Sequence, residues 1–150
     1  MGINLLICSY EKCLDNKIDI FNIKESFEKH GCEVVVHQNF CEEVAKSLKI
    51  ELFSSPQKPT VFAGCSPSVM EKKLKFLFDA PLEVANIREQ CAWSCDNTKD
   101  ATNLCKKIIN LAVNQVKYCR KSGKRDNVLG NTIEEYVSLI ENYGPNPFKM

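Results

Sequence analysis

Cysteine is the residue type with the most chemistry to offer in this chain. Nine occur in 150 residues. Four of them, Cys8, Cys41, Cys65 and Cys91, fall at or just beyond the C-terminal ends of apolar, strand-like segments. In a parallel α/β sheet all strands point one way, so their exits share one edge, which is where such folds place ligands and cofactors. Residues far apart in sequence become neighbours there without any short-range motif. Four thiolates gathered at that edge are a full ligand set for an iron–sulfur cluster. Thiolates repel one another unless a metal compensates their charge. The alternative is a set of exposed or semi-buried cysteines with no common site, and geometry alone leaves both open.

The other cysteines sort by position. Cys13 stands in the polar loop after the first strand and joins the candidates, as does Cys95. Cys105 and Cys119 fall on the apolar face of a long helical segment, where free cysteine acts as a small hydrophobe. Cys32 precedes the second strand, at the opposite edge from the proposed site, and reads as structural. No C-x-x-C occurs, which argues against a knuckle-type zinc site and a thioredoxin-like dithiol; the Cys91–Cys95 spacing is wider. No G-x-G-x-x-G follows any strand, so a dinucleotide fingerprint is missing. Cys65 at a helix start suits a nucleophile as well as a ligand. The two histidines, His30 and His37, are not placed for a clear Cys–His pair.

These candidates need elements to position them. Ile3–Ile7 reads as a buried first strand. Asp19 caps a helix carrying Ile20, Ile23 and Phe27 that ends before Gly31. Glu33–His37 is β-branched and reads as the second strand. Cys41 opens a helix through about Phe53 with Val44, Leu48 and Leu52 on one side, and residues 54–59 are turn chemistry. Thr60–Gly64 is the third strand, followed by Ser66 as N-cap and Pro67 at the first helical position, in a helix with Met70, Leu74 and Leu77. Leu82–Ile87 is the fourth strand. A long helix from about Asn97 to Lys121 is expected to bury Ala101, Leu104, Ile108, Ala112 and Val116. Beyond Gly123 come a polar stretch, a short helix near Thr132–Tyr143 and a Pro-rich end.

Strands alternating with helices predict an α/β fold: a three-layer, Rossmann-like domain with a four-stranded, mostly parallel sheet and helices on both faces. The domain is expected to span residues 1–123, with residues 124–150 a linker, short helix and loose end.

Composition bounds the function. Net charge is +1, with 44% hydrophobic and 26% charged residues, ordinary for a globular domain. No long-range field steers nucleic acid or anionic lipid to it. The basic run Lys117–Arg125 closes a helix, where cations favour the dipole. No apolar run approaches membrane-spanning length, and residues 1–6 lack a basic signal-peptide start. The expected location is cytoplasmic, where thiols stay reduced and abundant cysteine suggests metal or redox chemistry.

Val61–Pro67 (VFAGCSP) together with Ala85–Trp93 (ANIREQCAW) resembles the N-terminal domain of the A-type iron–sulfur subunit of heterodisulfide reductase. That family's members are iron–sulfur flavoprotein subunits of electron-transfer complexes in methanogens and related anaerobes. The similarity runs from about residue 3 to residue 121, and A-N-I-R-E-Q-C-x-W is long and unusual. Cys8 matches a cysteine after the family's first strand, and Asn39-Phe40-Cys41 matches one after its second. The resemblance implies that Cys8, Cys41, Cys65 and Cys91 hold a [4Fe–4S] cluster. The family tends to have C-x-C and glycine after the first strand, whereas here Cys8 is followed by Cys13, so either is the ligand. Cys95 stands where the family often has histidine.

By the same resemblance, Arg88 and Glu89 orient the cluster loop or form an ordinary ion pair, and Trp93 shields the site or is a core residue. The family's full-length protein continues into a flavin-binding, thioredoxin-reductase-like domain and ferredoxin inserts. This chain ends before either, so FAD is not expected on it. Partners would be other subunits of a heterodisulfide-reductase-like or hydrogenase-like complex, including a flavoprotein. The expected role is a non-catalytic iron–sulfur electron relay. The alternatives are a thiol-based redox enzyme or sensor using Cys65 or Cys91, and a cluster-free interaction domain of the same fold.

Overall fold

A computed structural model of the chain describes residues 2–10, 14, 16–40, 52–74, 78 and 80–122, with side chains to residue 118. Cys13, Cys41, the side chain of Cys119, and the helices expected after Cys41 and near Thr132–Tyr143 lie outside the described residues. The chain divides into two units, Met1–Arg120 and Lys121–Met150, and the first holds the sheet.

The elements run β1 (Ile3–Cys8), α1 (Ile20–Lys29), β2 (Cys32–His37), β3 (Thr60–Gly64), α2 (Pro67–Leu74), β4 (Leu82–Asn86), a π-helical turn (Arg88–Ala92) and α3 (Thr98–Ser122). The four strands form one sheet in the order β2-β1-β3-β4, and every pairing is parallel. This is the expected α/β fold, with the sheet wholly rather than mostly parallel. The two inner strands are buried at every residue, as their continuous apolar runs require of strands covered on both faces. The edge strands β2 and β4 are largely half-buried.

Side-chain alternation splits the core in two. One face carries Leu5, Ile7, Val34, Val61, Ala63, Ala85 and Ile87, packed against Ile23 and Phe27 of α1 and Ala101, Cys105, Ile109, Val113 and Val116 of α3. The other carries Leu6, Cys8 and Phe62 against Met70 and Leu74 of α2, with Phe40 beside them. Helices therefore cover both faces.

The α3 face is rotated from its expected centre. Leu104 and Ile108 are only partly buried, whereas Cys105, Ile109 and Val113 are inside. Apolar residues occupy neighbouring positions along this helix, so periodicity fixes a broad stripe. The sheet chooses its midline.

Local chemistry sets the helix ends. Asp19 Oδ1 accepts from the Asn22 amide at 3.0 Å to cap α1. The chain leaves α1 through Gly31, whose φ of 80° belongs to the left-handed region that glycine adopts without strain. The Ser66 carbonyl accepts from Val69 and Met70, each at 3.1 Å, opening α2 behind Pro67. Asn97 Oδ1 accepts from the Asp100 amide at 2.9 Å at the start of α3. The Asp19 amide also donates to Thr102 Oγ1 at 3.0 Å, tying the start of α1 to α3.

Candidate redox site

The strand order locates the site. From β1 the chain crosses through α1 to β2 on one side; from β3 it crosses through α2 to β4 on the other. The direction of winding therefore reverses between β1 and β3. In open parallel sheets, the crevice beyond the carboxyl ends at such a reversal is where ligands bind. Cys8 is the last residue of β1 and Cys65 the first after β3, so both stand at this reversal.

The last paired row of the sheet reads His37, Cys8, Gly64, Asn86. Cys8 is in register with His37, and Gly64 with Asn86. The Ile7–Ala63 pairing brings Cys8 alongside Gly64. By alternation from Leu6, Val35, Phe62 and Val84, this row faces the same side of the sheet as α2.

Cys8 and Cys65 are each 4% exposed and belong to the same packed cluster, with Tyr10, Phe40 and Phe62 around them. Phe62 lies 5.4 Å from Phe40, whose ring meets His37 edge-on at 5.6 Å. A Cβ on Gly64 would stand 2.6 Å from the Phe62 ring and 3.2 Å from Cys8 Cβ. Glycine is there because the phenylalanine ring occupies that space. The two thiols thus sit on an aromatic, low-dielectric floor.

His37, which the sequence did not place for a clear Cys–His pair, stands in register with Cys8. The Asn39 amide donates to its Nδ1 at 3.3 Å, and its carbonyl accepts from Ser9 at 2.9 Å. The signal was available: His37 and Cys8 end their apolar runs at the same offset, as residues in register must.

Cys91 takes a different course. It follows β4 in the π-helical turn, closed by the Trp93 amide donating to the Arg88 carbonyl at 2.9 Å. Asn86 braces the turn: its Oδ1 accepts from the Glu89 amide at 3.1 Å and its Nδ2 donates to Glu89 Oε2 at 2.8 Å. Arg88 Nη2 donates to Glu89 Oε1 at 2.6 Å. Arg88 and Asn86 together hold the Glu89 carboxyl below the usual carboxylate range. The Arg88–Glu89 pair therefore exists, and it is tied into the turn's backbone through Asn86.

The Arg88 guanidinium lies 4.9 Å from the Trp93 ring centroid. Trp93 is 56% exposed, so it is not the core residue that was one of its expected roles.

The Cys91 side chain is wholly buried in the cluster on the α1/α3 face, not in the one that holds Cys8 and Cys65. Its hydrogen-bond partner is Cys105 of α3. That bond stabilises the Cys91 thiolate and lowers its pKa from the ordinary thiol value, against desolvation, which raises it. Cys105 shifts up, through its bond to Cys91 and through burial. Cys105 is buried as its helical spacing predicts, but its partnership with Cys91 was not foreseen.

Cys95 is half-buried against the same cluster, its amide donating to the Cys91 carbonyl at 3.1 Å. Cys32 starts β2, far from the strand exits, with its thiol pKa raised by burial. Of the six sequence candidates, the structure thus brings Cys8 and Cys65 together and places Cys91 and Cys95 on the other face. Cys13 and Cys41 lie outside the described residues, although Phe40, which precedes Cys41, packs with Phe62 over the Cys8–Cys65 floor. Among the described residues, no group of three or more His, Cys, Asp or Glu is arranged to hold a metal ion.

Among curated proteins, the chain is similar to the A-type component of the ferredoxin:CoB-CoM heterodisulfide reductase of Methanosarcina acetivorans. The two are 27% identical over 105 residues, which is 65% of this chain and 13% of that protein. The chain thus spans a small part of that relative's length. No protein-family profile matches the chain, and no solved structure matches it. Among the described residues, no helix is long and apolar enough to cross a membrane.

Proposed function

We propose that this domain is an iron–sulfur electron-transfer module, with its centre anchored by Cys8 and Cys65 at the reversal point of the sheet. The single observation that carries this reading is the pairing of those two buried cysteines at the exits of the two central strands. Likeness to a heterodisulfide reductase subunit supports the same redox role.

The donor set fits in part. Cys8 and Cys65 present soft sulfur donors from two rigid strand ends, the ligand chemistry iron–sulfur clusters use. Cys41 is the third candidate donor. Cys91 would complete the set by giving up its bond to Cys105, and Cys13 is the alternative after β1. A [4Fe–4S] cluster bound there would supply one-electron transfer.

The chain's own part is to exclude water with Phe40 and Phe62 and to set the polarity around the sulfurs through His37 and Asn86. Burial and hydrogen bonding of this kind tune reduction potential. Flavin chemistry would belong to partner subunits of a heterodisulfide-reductase-like or hydrogenase-like complex, and the module would act as a relay within it.

Anaerobic purification followed by iron, sulfide and visible-absorption analysis tests this. The expected product is brown and carries about four irons per chain. A colourless, iron-free chain that resists anaerobic reconstitution would contradict it.

A further inference from the structure

We propose that the groove between α1 and α3 binds a small, elongated organic dianion, with one anionic group at Lys106 and the other at Lys117. The groove has a volume of about 280 Å³ and is lined by residues of α1, β2 and α3. One of them is Cys32, the first residue of β2. All strands are parallel, so the groove reaches the edge of the sheet opposite the Cys8–Cys65 floor. The site is therefore independent of the proposed redox centre.

The spacing along α3 defines the length of the site. Lys106, Asn110, Val113 and Lys117 all line the groove, and they recur at i, i+4, i+7 and i+11, one stripe of a helix. At the helical rise per residue, the two lysine backbones stand about 16 Å apart along the axis. Between them the floor is apolar, made by the buried Phe27 and Val113. Ser26 and Asn110 add neutral polar groups there. A ligand that fits carries charge at both ends and a neutral, partly apolar body.

The charge balance favours an anion. Among the described residues, no carboxylate lines the groove. The ion pairs among those residues join Lys24 to Glu28, Lys58 to Glu33 and Arg88 to Glu89, and use neither groove lysine. Lys106 Nζ donates to Asn22 Oδ1, a neutral partner that leaves its charge uncompensated. The C-terminal end of α1 would oppose an anion through its free carbonyls. Those carbonyls are occupied: Ser26 accepts from His30 Nδ1 at 2.6 Å, and Phe27 and Glu28 accept from the His30 and Gly31 amides at 3.1 and 3.0 Å.

A single exposed lysine holds a monoanion weakly, because water and salt screen the pair. Joining two anionic groups makes the second contact intramolecular, so affinity rises when the linker matches the span between the cations. Selection by length is therefore the signature of this site. The test titrates the full chain at low ionic strength with α,ω-dicarboxylates of increasing length, from succinate to sebacate, and with the matching monocarboxylates. Binding is followed by NMR through the backbone amide shifts.

One dicarboxylate length is expected to bind at least about tenfold tighter than its monocarboxylate, with shifts concentrated in residues 26–32 and 106–117. Lys106→Gln and Lys117→Gln should each reduce it to the monocarboxylate level. Lys107→Gln, at an exposed position outside the groove, should leave it unchanged. The proposal is overturned if no length outbinds its monocarboxylate, if either groove variant keeps the full affinity, or if Lys107→Gln weakens binding as much as they do. The readout does not involve iron, so this reading and the strand-exit reading stand or fall separately.

Discussion

At the residue scale, the site depends on a contact between Gly64 and Phe62. Adding a methyl at Gly64 places a carbon 2.6 Å from a fully buried ring, and the ring's neighbours Phe40 and Leu6 leave it nowhere to go. Gly64→Ala is therefore expected to cost about 1–3 kcal/mol in urea unfolding, as over-packed cores do.

Glu89 gives a pH prediction. Its folded pKa lies below the unfolded value because Arg88 and Asn86 donate to its charged form. Its contribution to stability is complete above about pH 4.3, the unfolded glutamate value, and is lost as the pH falls through the lower folded value. Glu89→Gln should lose this component. The stability gap between wild type and variant, measured by unfolding at a series of acid pH values, should narrow as the pH drops. A gap constant with pH would mean that the turn does not depend on the charge.

That Cys8 and Cys65 lie at strand exits was legible, because each follows a run of apolar residues whose end is visible. Where Cys91 points was not. Its direction is set by a five-residue π-helical turn, and nothing in the order of Arg88, Glu89 and Gln90 shows that the turn has one residue more than an α-helix needs.

At the scale of elements, the inner strands and α1 followed directly from pattern. Continuous apolar runs gave β1 and β3, and an aspartate before a helical spacing gave α1. Asp19→Ala should destabilise the domain by about 1 kcal/mol through the lost cap, measured by thermal or urea unfolding.

For α3 the pattern was too broad to choose a midline among Leu104, Cys105, Ile108, Ile109 and Val113. Contact with the sheet decided it. Ile109 is wholly buried whereas Leu111 is 65% exposed, so Ile109→Ala should cost about 2–5 kcal/mol. Leu111→Ala should stay within about 0.5 kcal/mol. Equal effects in urea unfolding would mean that the helix packs on another face.

At the scale of the molecule, winding order converts a list of scattered cysteines into a location. Alternating strands and helices predict a parallel sheet, but the order β2-β1-β3-β4 is a tertiary fact. Only that order makes the exits of β1 and β3 adjacent at the point where the winding reverses. Cys8 and Cys65 gain a shared, water-poor floor from it, and Cys91 and Cys105 fall to the opposite face.

The most direct measurement is the iron content of Cys65→Ala beside that of Cys105→Ala, both reconstituted anaerobically and compared with wild type. A centre anchored at the reversal point predicts that the first variant loses its iron and the visible absorption with it, while the second keeps both. Equal retention or equal loss in the two variants would contradict that location.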